Sequence, residues 1–330
     1  MQISFGNKIY FVSVILFCVC AVSMLYFGYK TFYIEPKTTE MTDYSYHFAL
    51  IAEETDNEYW GMIKKGAINA AQEHNIYLDF IAPEKADNDE ALTLLDRMIS
   101  AKVDGIITHG IDDQQFVDLV HKGVERGIPI ITVDTDVESS ERKAYVGSDN
   151  YKAGQLLGQA IIENTKGKQY IGIVTGRKDS ISQKERIAGL EQMIDSNPEI
   201  EIVMVEESNI TKIGAARAAY TLLKEHPEIT VLAGTSALDG IGIVEGLKDI
   251  APNKDILIVA FDTLPETLQL IQDGKIDATI AQYPKKMGYE AVDIMIDLQS
   301  NDLLDNKRYI DTTIIRQEEL RVGYGNGEEK

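Results

Sequence analysis

The sequence predicts an α/β protein made of two successive open sheets of parallel strands with helices on their faces, preceded by a single apolar helix. Three observations carry that prediction. Short apolar runs alternate with stretches of 3.6-residue periodicity, the rhythm of parallel strands joined by crossover helices. The rhythm pauses once, around "KAYVGSDNYKAG", and then resumes. At 330 residues the chain is also long enough for two ordinary cores.

Taken in order, Ile9 to Tyr29 reads "IYFVSVILFCVCAVSMLYFGY", without a charge. As a helix this run spans roughly 30 Å, the thickness of a bilayer core. Tyr10, Tyr26 and Tyr29 stand near its ends, where amphipathic rings favour the interface. The run is longer than the apolar core of a cleaved signal and lacks a small-x-small site. Neither Cys18 nor Cys20 follows a small residue, as a lipoprotein cysteine would. Residues 1–30 are therefore read as an uncleaved anchor rather than a removed signal, and 31–45, with Pro36 and a polar run, as a stalk. Lysines on both sides of the span leave its orientation undecided by charge.

Strands are expected at 47–52, 77–81, 105–109 and 129–133, with helices near 58–74, 90–101 and 113–126. After the pause, strands are expected at 170–174, 200–205, 230–234, 256–261 and 277–281. Helices are expected near 150–164, 181–195, 212–225 and 238–248. In open parallel sheets, ligands bind beyond the carboxyl ends of the strands. The residues just past those ends are Glu53, Asn57, Tyr59 and Trp60, then Asp134, Thr135 and Asp136, then a loop reaching Arg186. Ser236 and Asp239, Asp262 and Gln282 follow the later strands. Acids and amides hydrogen-bond hydroxyls, and aromatic faces cover apolar C–H faces, so this set suits a sugar.

Composition narrows the partners. Hydrophobic content of 44% and charged content of 26% are those of a globular chain. A formal net charge of −21 argues against a nucleic-acid partner, which requires a basic face. Both cysteines lie in the apolar segment, so the rest of the chain has neither a disulfide nor a thiolate site. "ADNDEA" (86–91) resembles part of a calcium loop but lacks its glycine and distant glutamate, and reads better as a helix start capped by Asp89. His47, His74, His109, His121 and His226 have no metal-ligand spacing. "TGRKDS" lacks the spacing of a phosphate loop, and no nucleophile–base grouping stands out. No enzyme activity, cofactor or metal is expected.

The motifs "DNEYWGMIKKGAINAAQEHN", "GIPIITVDTD", "YVGSDNYKAG", "KERIAGLEQ", "IVAFDTLP" and "DGKIDATIAQYPKKMG" occur in this order over residues 46–320. In them the chain resembles the ribose-binding-protein-like family of bacterial periplasmic sugar-binding proteins. The resemblance implies the two-lobed type I periplasmic binding protein fold, each lobe a parallel sheet flanked by helices, joined by three interlobe crossings. It implies one lobe from 46–148 plus about 283–311, another from 149–282 plus about 312–322, and a tail at 323–330. Carried over motif by motif, it implies ligand contacts from Glu53, Asn57, Tyr59, Trp60, Asp134, Thr135, Arg186, Ser236, Asp239, Asp262 and Gln282. Thr135 stands where an arginine is frequent, Ser236 where an asparagine is, and Glu53 where the residue is usually small or neutral. Those departures imply a ligand other than ribose. The resemblance further implies a sugar or polyol ligand, a cell-membrane location with the binding part outside, and a membrane partner. That partner is a sensor histidine kinase or an ABC permease. The lactose-repressor-type regulators share the fold, but an apolar span stands where their DNA-binding helices would be.

Overall fold

The computed structural model describes residues 5–32, 44–250, 255–300 and 305–322. Most of the expected stalk (33–43) and the tail (323–330) lie outside the described residues. The chain divides into two compact units, residues 1–43 and 44–330. The first holds helix α1 (Phe5–Phe32), of 28 residues, about 42 Å at 1.5 Å per residue. Its stretch Ser13–Lys30 is long and apolar enough to cross a membrane, and side chains such as Phe17, Met24 and Leu25 are exposed.

In the second unit the chain runs β1 (Tyr46–Ile51), α2 (Glu58–Glu73), β2 (Ile76–Ile81), α3 (Asn88–Ala101), β3 (Gly105–Thr108), α4 (Gln114–Glu125), β4 (Ile130–Val133) and β5 (Ala144–Gly147). It continues through α5 (Asn150–Asn164), β6 (Gln169–Thr175), α6 (Ile181–Ile194), β7 (Ile200–Glu207), α7 (Lys212–Glu225), β8 (Val231–Gly234) and α8 (Asp239–Ile250). The last elements are β9 (Leu257–Phe261), α9 (Pro265–Gln272), β10 (Ala278–Ala281), α10 (Pro284–Gln299), β11 (Lys307–Tyr309), β12 (Thr313–Arg316) and α11 (Gln317–Val322).

Two six-stranded sheets result, with orders β11-β5-β4-β3-β1-β2 and β12-β10-β9-β8-β6-β7. Apart from the terminal β11 and β12, strand for strand the second repeats the first. This is the doubly wound arrangement whose ligand crevice lies at the carboxyl ends. The central strands β3, β4, β8 and β10 are buried throughout, so they read as unbroken apolar runs rather than alternating ones. One strand departs from the expectation: β12 pairs antiparallel with β10, from Ala278↔Arg316 to Ala281↔Thr313. The pause in the rhythm is also partly structured, because "AYVG" forms the buried strand β5.

The chain passes between the sheets three times, after β5, after β10 and after β11. Gln282, at the second passage, donates to Ser148 Oγ at the first (2.8 Å), so neighbouring crossings are tied side chain to side chain. Helices dock closely. A Cβ on Gly154 of α5 would lie 2.0 Å from the Arg186 carbonyl oxygen of α6, and one on Gly189 of α6 would lie 2.0 Å from the Tyr151 oxygen. Only glycine permits that approach. The first sheet shows the same device, where Gly66 of α2 meets Lys285 of α10 and Gly288 meets Ile63.

The helix α3 starts two residues earlier than expected. Asp87, in extended conformation, accepts from the Glu90 N–H and is the cap; Asp89 lies inside the first turn.

Candidate functional site

The loops beyond β1, β4, β6, β8, β9 and β10 converge on one cavity between the two sheets, which encloses about 500 Å3 counting its solvent-open edge. Its wall includes Glu53, Asn57, Tyr59, Trp60, Asp134, Thr135, Arg186, Ser236, Asp262 and Gln282, all of them expected from the sequence. Of the residues named at the strand ends, Asp136 and Asp239 stand off the wall.

Two aspartates hold equivalent places. Asp134 directly follows β4 and Asp262 directly follows β9, and each has φ of 66°, in the left-handed region that Asp tolerates better than most residues. Each N–H donates to the neighbouring strand, to Val146 O at 3.0 Å and Ile280 O at 2.8 Å. Each carbonyl is held from that same strand, Asp134 O by the Tyr145 hydroxyl (2.9 Å) and Asp262 O by Thr279 Oγ1 (2.7 Å). The backbone is thereby fixed so that both side chains meet the cavity.

Their side chains are used differently. Asp134 accepts from the Tyr59 hydroxyl (2.5 Å) and from Thr135 Oγ1 (3.1 Å). The Asp262 Oδ1 atom is buried and has no hydrogen-bond partner among the described residues, while the Ser236 hydroxyl lies beside the Asp239 carboxylate. Burial pushes the Asp262 carboxyl up to about 7; the Arg186 guanidinium pulls it down while Asp134 and Asp239 raise it further. Asp262 is not a helix cap, since α9 begins after Leu264 without a side-chain cap.

Arg186 is 3% exposed and held at three points. Its Nε donates to Asn150 Oδ1 (2.9 Å), Nη1 to Thr235 O (2.7 Å) and Nη2 to Gln282 Oε1 (3.0 Å). The guanidinium also lies 4.1 Å from the Phe261 ring centroid, a cation–π arrangement. A planar donor group fixed this way is pre-organised, so little entropy is lost when it meets an oxygen.

The aromatic pair is deeper than the sequence implied. Trp60 is 2% exposed and Tyr59 7%, and both belong to the core of the first sheet as well as to the cavity wall. Their rings meet edge-on, 6.2 Å apart at 87°, and Trp60 meets His109 in the same manner. Side chains of adjacent helical residues diverge by about 100°. Here one side of the helix start faces core and the other cavity, so the two roles coexist.

Asn57 and Asp239 are engaged by backbone N–H groups of the protein itself. Asn57 is the cap of α2, its Oδ1 accepting from the N–H groups of Tyr59 and Trp60, while its amide donates to Glu54. Asp239 lies behind the wall, where its Oδ2 accepts from the N–H groups of Thr235 (3.2 Å) and Ser236 (2.8 Å) and shapes the turn that presents Ser236. Asp136 is likewise taken, by a paired interaction with Arg142 at 2.5 and 2.6 Å.

The cavity also includes residues that sequence reading passed over: Arg177, Ser180, Ser182, Gln183, Ile210 and Ala237. A usable clue existed for Arg177. It stands two residues beyond β6, as Glu53 stands two residues beyond β1, and these strands occupy equivalent places in their sheets. Ser182 and Gln183 lie on the buried side of α6, one turn before Arg186.

The family model for the periplasmic binding protein domain matches residues 48–302. The ribose import binding protein of Bacillus subtilis is 23% identical over 243 residues, covering 74% of this chain and 78% of its own length. Among solved structures, the glucose-galactose binding protein GanP of Geobacillus stearothermophilus is 42% identical with a TM-score of 0.80, over 83% of this chain and 98% of that one. A XylFII–LytSN complex contains a chain 37% identical with a TM-score of 0.78, over 82% and 98%. The two whose function is in their names bind sugars and are not enzymes. With its two parallel sheets and the cavity at their facing ends, the chain belongs to the periplasmic binding protein domain family, among its ribose-binding-like, sugar-binding members.

Proposed function

We propose that this protein is an extracytoplasmic carbohydrate-binding protein, held to the membrane by α1, which closes its two lobes on a sugar or polyol. In this reading it passes the bound state to a membrane partner as accessory subunit of a sugar-sensing histidine kinase. The observation that carries the binding role is the set of oxygens on the cavity wall, Ser236 Oγ and Asp262 Oδ1, the latter buried without a partner among the described residues. A buried polar atom without a partner costs roughly 1–3 kcal/mol, which a ligand hydroxyl would recover. Arg186 supplies N–H donors beside them, and Tyr59 and Trp60 supply ring surface. The site set comprises Glu53, Asn57, Tyr59, Trp60, Asp134, Thr135, Arg186, Ser236, Asp262 and Gln282, with Asp239 acting through Ser236.

A sugar touching both lobes stabilises the closed state over the open one, because some of its contacts exist only when the lobes meet. Shifting that equilibrium 100-fold requires about 2.7 kcal/mol of differential affinity, within reach of two or three cleft hydrogen bonds. The lobes are taken as residues 46–148 with about 283–311, and 149–282 with about 312–322, the three crossings forming the hinge. The anchor assignment is supported by the length and apolar character of α1.

The sensor role is favoured by the likeness to a chain solved together with a second protein, LytSN. The alternative, a substrate-binding receptor of a sugar ABC transporter, is favoured by the likeness to an import binding protein. A thermal-shift screen of the detergent-solubilised full chain against D-ribose, D-glucose, D-galactose, polyols and amino sugars tests the binding role. A sugar at 100 times its Kd adds about 2.7 kcal/mol of stability. Silence across the panel would count against sugar binding. Crosslinking in native membranes followed by mass spectrometry separates the partners: a histidine kinase supports the sensor, an ABC permease the transporter.

A further inference from the structure

Glu53 and Arg177 occupy equivalent positions, two residues past β1 and two past β6, and they approach each other from opposite sheets across the cavity. Both are less buried than Asp262 and Arg186, with side chains 22% and 17% exposed, which places them toward the solvent side of the cleft. Each is oriented by its own lobe. Arg177 donates through Nε (3.0 Å) and Nη2 (2.6 Å) to Asp179, which turns Nη1 toward Glu53. Glu53 in turn accepts a side-chain hydrogen bond from Trp60.

The gap between them is informative. Arg177 Nη1 stands 3.9 Å from Glu53 Oε1, too far for a direct hydrogen bond. The two form an ion pair across the cleft, and an oxygen about 2.8 Å from each atom would stand to the side of the line joining them, facing the cavity, with an angle of roughly 90° at the oxygen. The bridging group must accept from the guanidinium and donate to the carboxylate, and a neutral hydroxyl does both. An ether oxygen cannot donate and an ammonium cannot accept. Because the two partners belong to different sheets, such a hydroxyl is fully paired only when the lobes are together.

We infer that Glu53 and Arg177 form a specificity-determining pair that reads a single sugar hydroxyl across the cleft, in addition to the groups around Asp134, Arg186 and Asp262. This rests on the sugar-binding reading above. It accounts for an acid at a position that the family resemblance makes usually small, and for the arginine of the "TGRKDS" loop. Asp179 is a positioning residue for Arg177, and it is reached from the other sheet by Asn88 Nδ2 at 3.4 Å.

The test is calorimetric titration of the detergent-solubilised full chain with D-glucose, D-galactose and D-ribose and with the monodeoxy derivatives of whichever binds. Wild type, Arg177→Met and Glu53→Gln are compared. Charge-assisted hydrogen bonds imply a loss of about tenfold or more on the parent sugar for each variant. For one deoxy derivative, which already lacks the hydroxyl, the variants and wild type should bind alike, and that equality also shows the variants to be folded. Equal weakening of the parent and every deoxy derivative would mean that the pair only clasps the lobes, and would overturn the inference. Unchanged parent affinity in Arg177→Met would overturn it while leaving sugar binding intact. Failure of the wild type to bind any of the three sugars would remove both.

Discussion

Asp262 combines a left-handed backbone, near-complete burial and an unpartnered carboxylate oxygen. Asn keeps the tolerated backbone conformation but removes the charge, so Asp262→Asn should weaken sugar binding about tenfold or more at little cost in folding, checked by calorimetry and by thermal melting. The same burial makes stability depend on pH. Glu53 and Asp262 are pushed up to about 7 and Asp239 to about 6, in each case first by burial. Each group holds its proton more tightly folded than unfolded. The stabilisation is thus complete below about pH 4 and lost as pH rises to about 7. The sugar-free protein should melt at a lower temperature at pH 8 than at pH 5, and Asp262→Asn should flatten that fall. Asn57 follows different logic: its cap holds the start of α2 and with it Tyr59 and Trp60. Asn57→Ala should cost about 1 kcal/mol of stability in denaturant titration. At this scale the sequence announced the residues at strand ends, because chain position alone puts them there. It did not announce which were already engaged, since Asn57 and Asp239 bond to backbone N–H groups that only the folded turn brings near.

Among the elements, β1 to β4, β6 to β10 and α2 to α8 were legible from apolar periodicity, while the long α10 and the short β5, β11 and β12 were not. β5 hides in a run of mixed polarity, and β11 and β12 are strands of three and four residues whose pairing comes from distant partners. Sequence pattern also gave no view of how closely helices dock. Gly154 and Gly189 let α5 and α6 approach until backbone meets backbone, and α6 carries Ser182, Gln183 and Arg186 into the cavity. Gly154→Ala would force α6 outward at the carbonyl of Arg186 itself. The expected result is weakened sugar binding together with a lower melting temperature, whereas Gly127→Ala, facing open space, should leave binding unchanged and lower stability only through its φ of 78°. Comparing the two variants by calorimetry and melting checks that the loss follows the helix contact rather than glycine replacement in general.

For the whole molecule, the consequence of two repeated sheets is that each contributes half a site. The first supplies Glu53, Tyr59, Trp60, Asp134 and Thr135; the second supplies Arg177, Ser182, Arg186, Ser236 and Asp262. Thr135 Oγ1 to Ser182 Oγ at 3.1 Å, and Lys184 to Asp112 at 2.9 Å, show the halves in contact. Residues past strand ends were legible as a site because the doubly wound arrangement gathers them, but the cross-sheet pairings were not, since they depend on the angle between lobes. In the proposed binding mode a sugar lies in this cavity against Trp60, the sole tryptophan of the chain. The most direct measurement is the tryptophan emission of the full chain during titration with a sugar that raises its melting temperature. A saturable change is expected, with a midpoint that matches the calorimetric Kd. Saturating sugar that leaves the emission unchanged would contradict that binding mode.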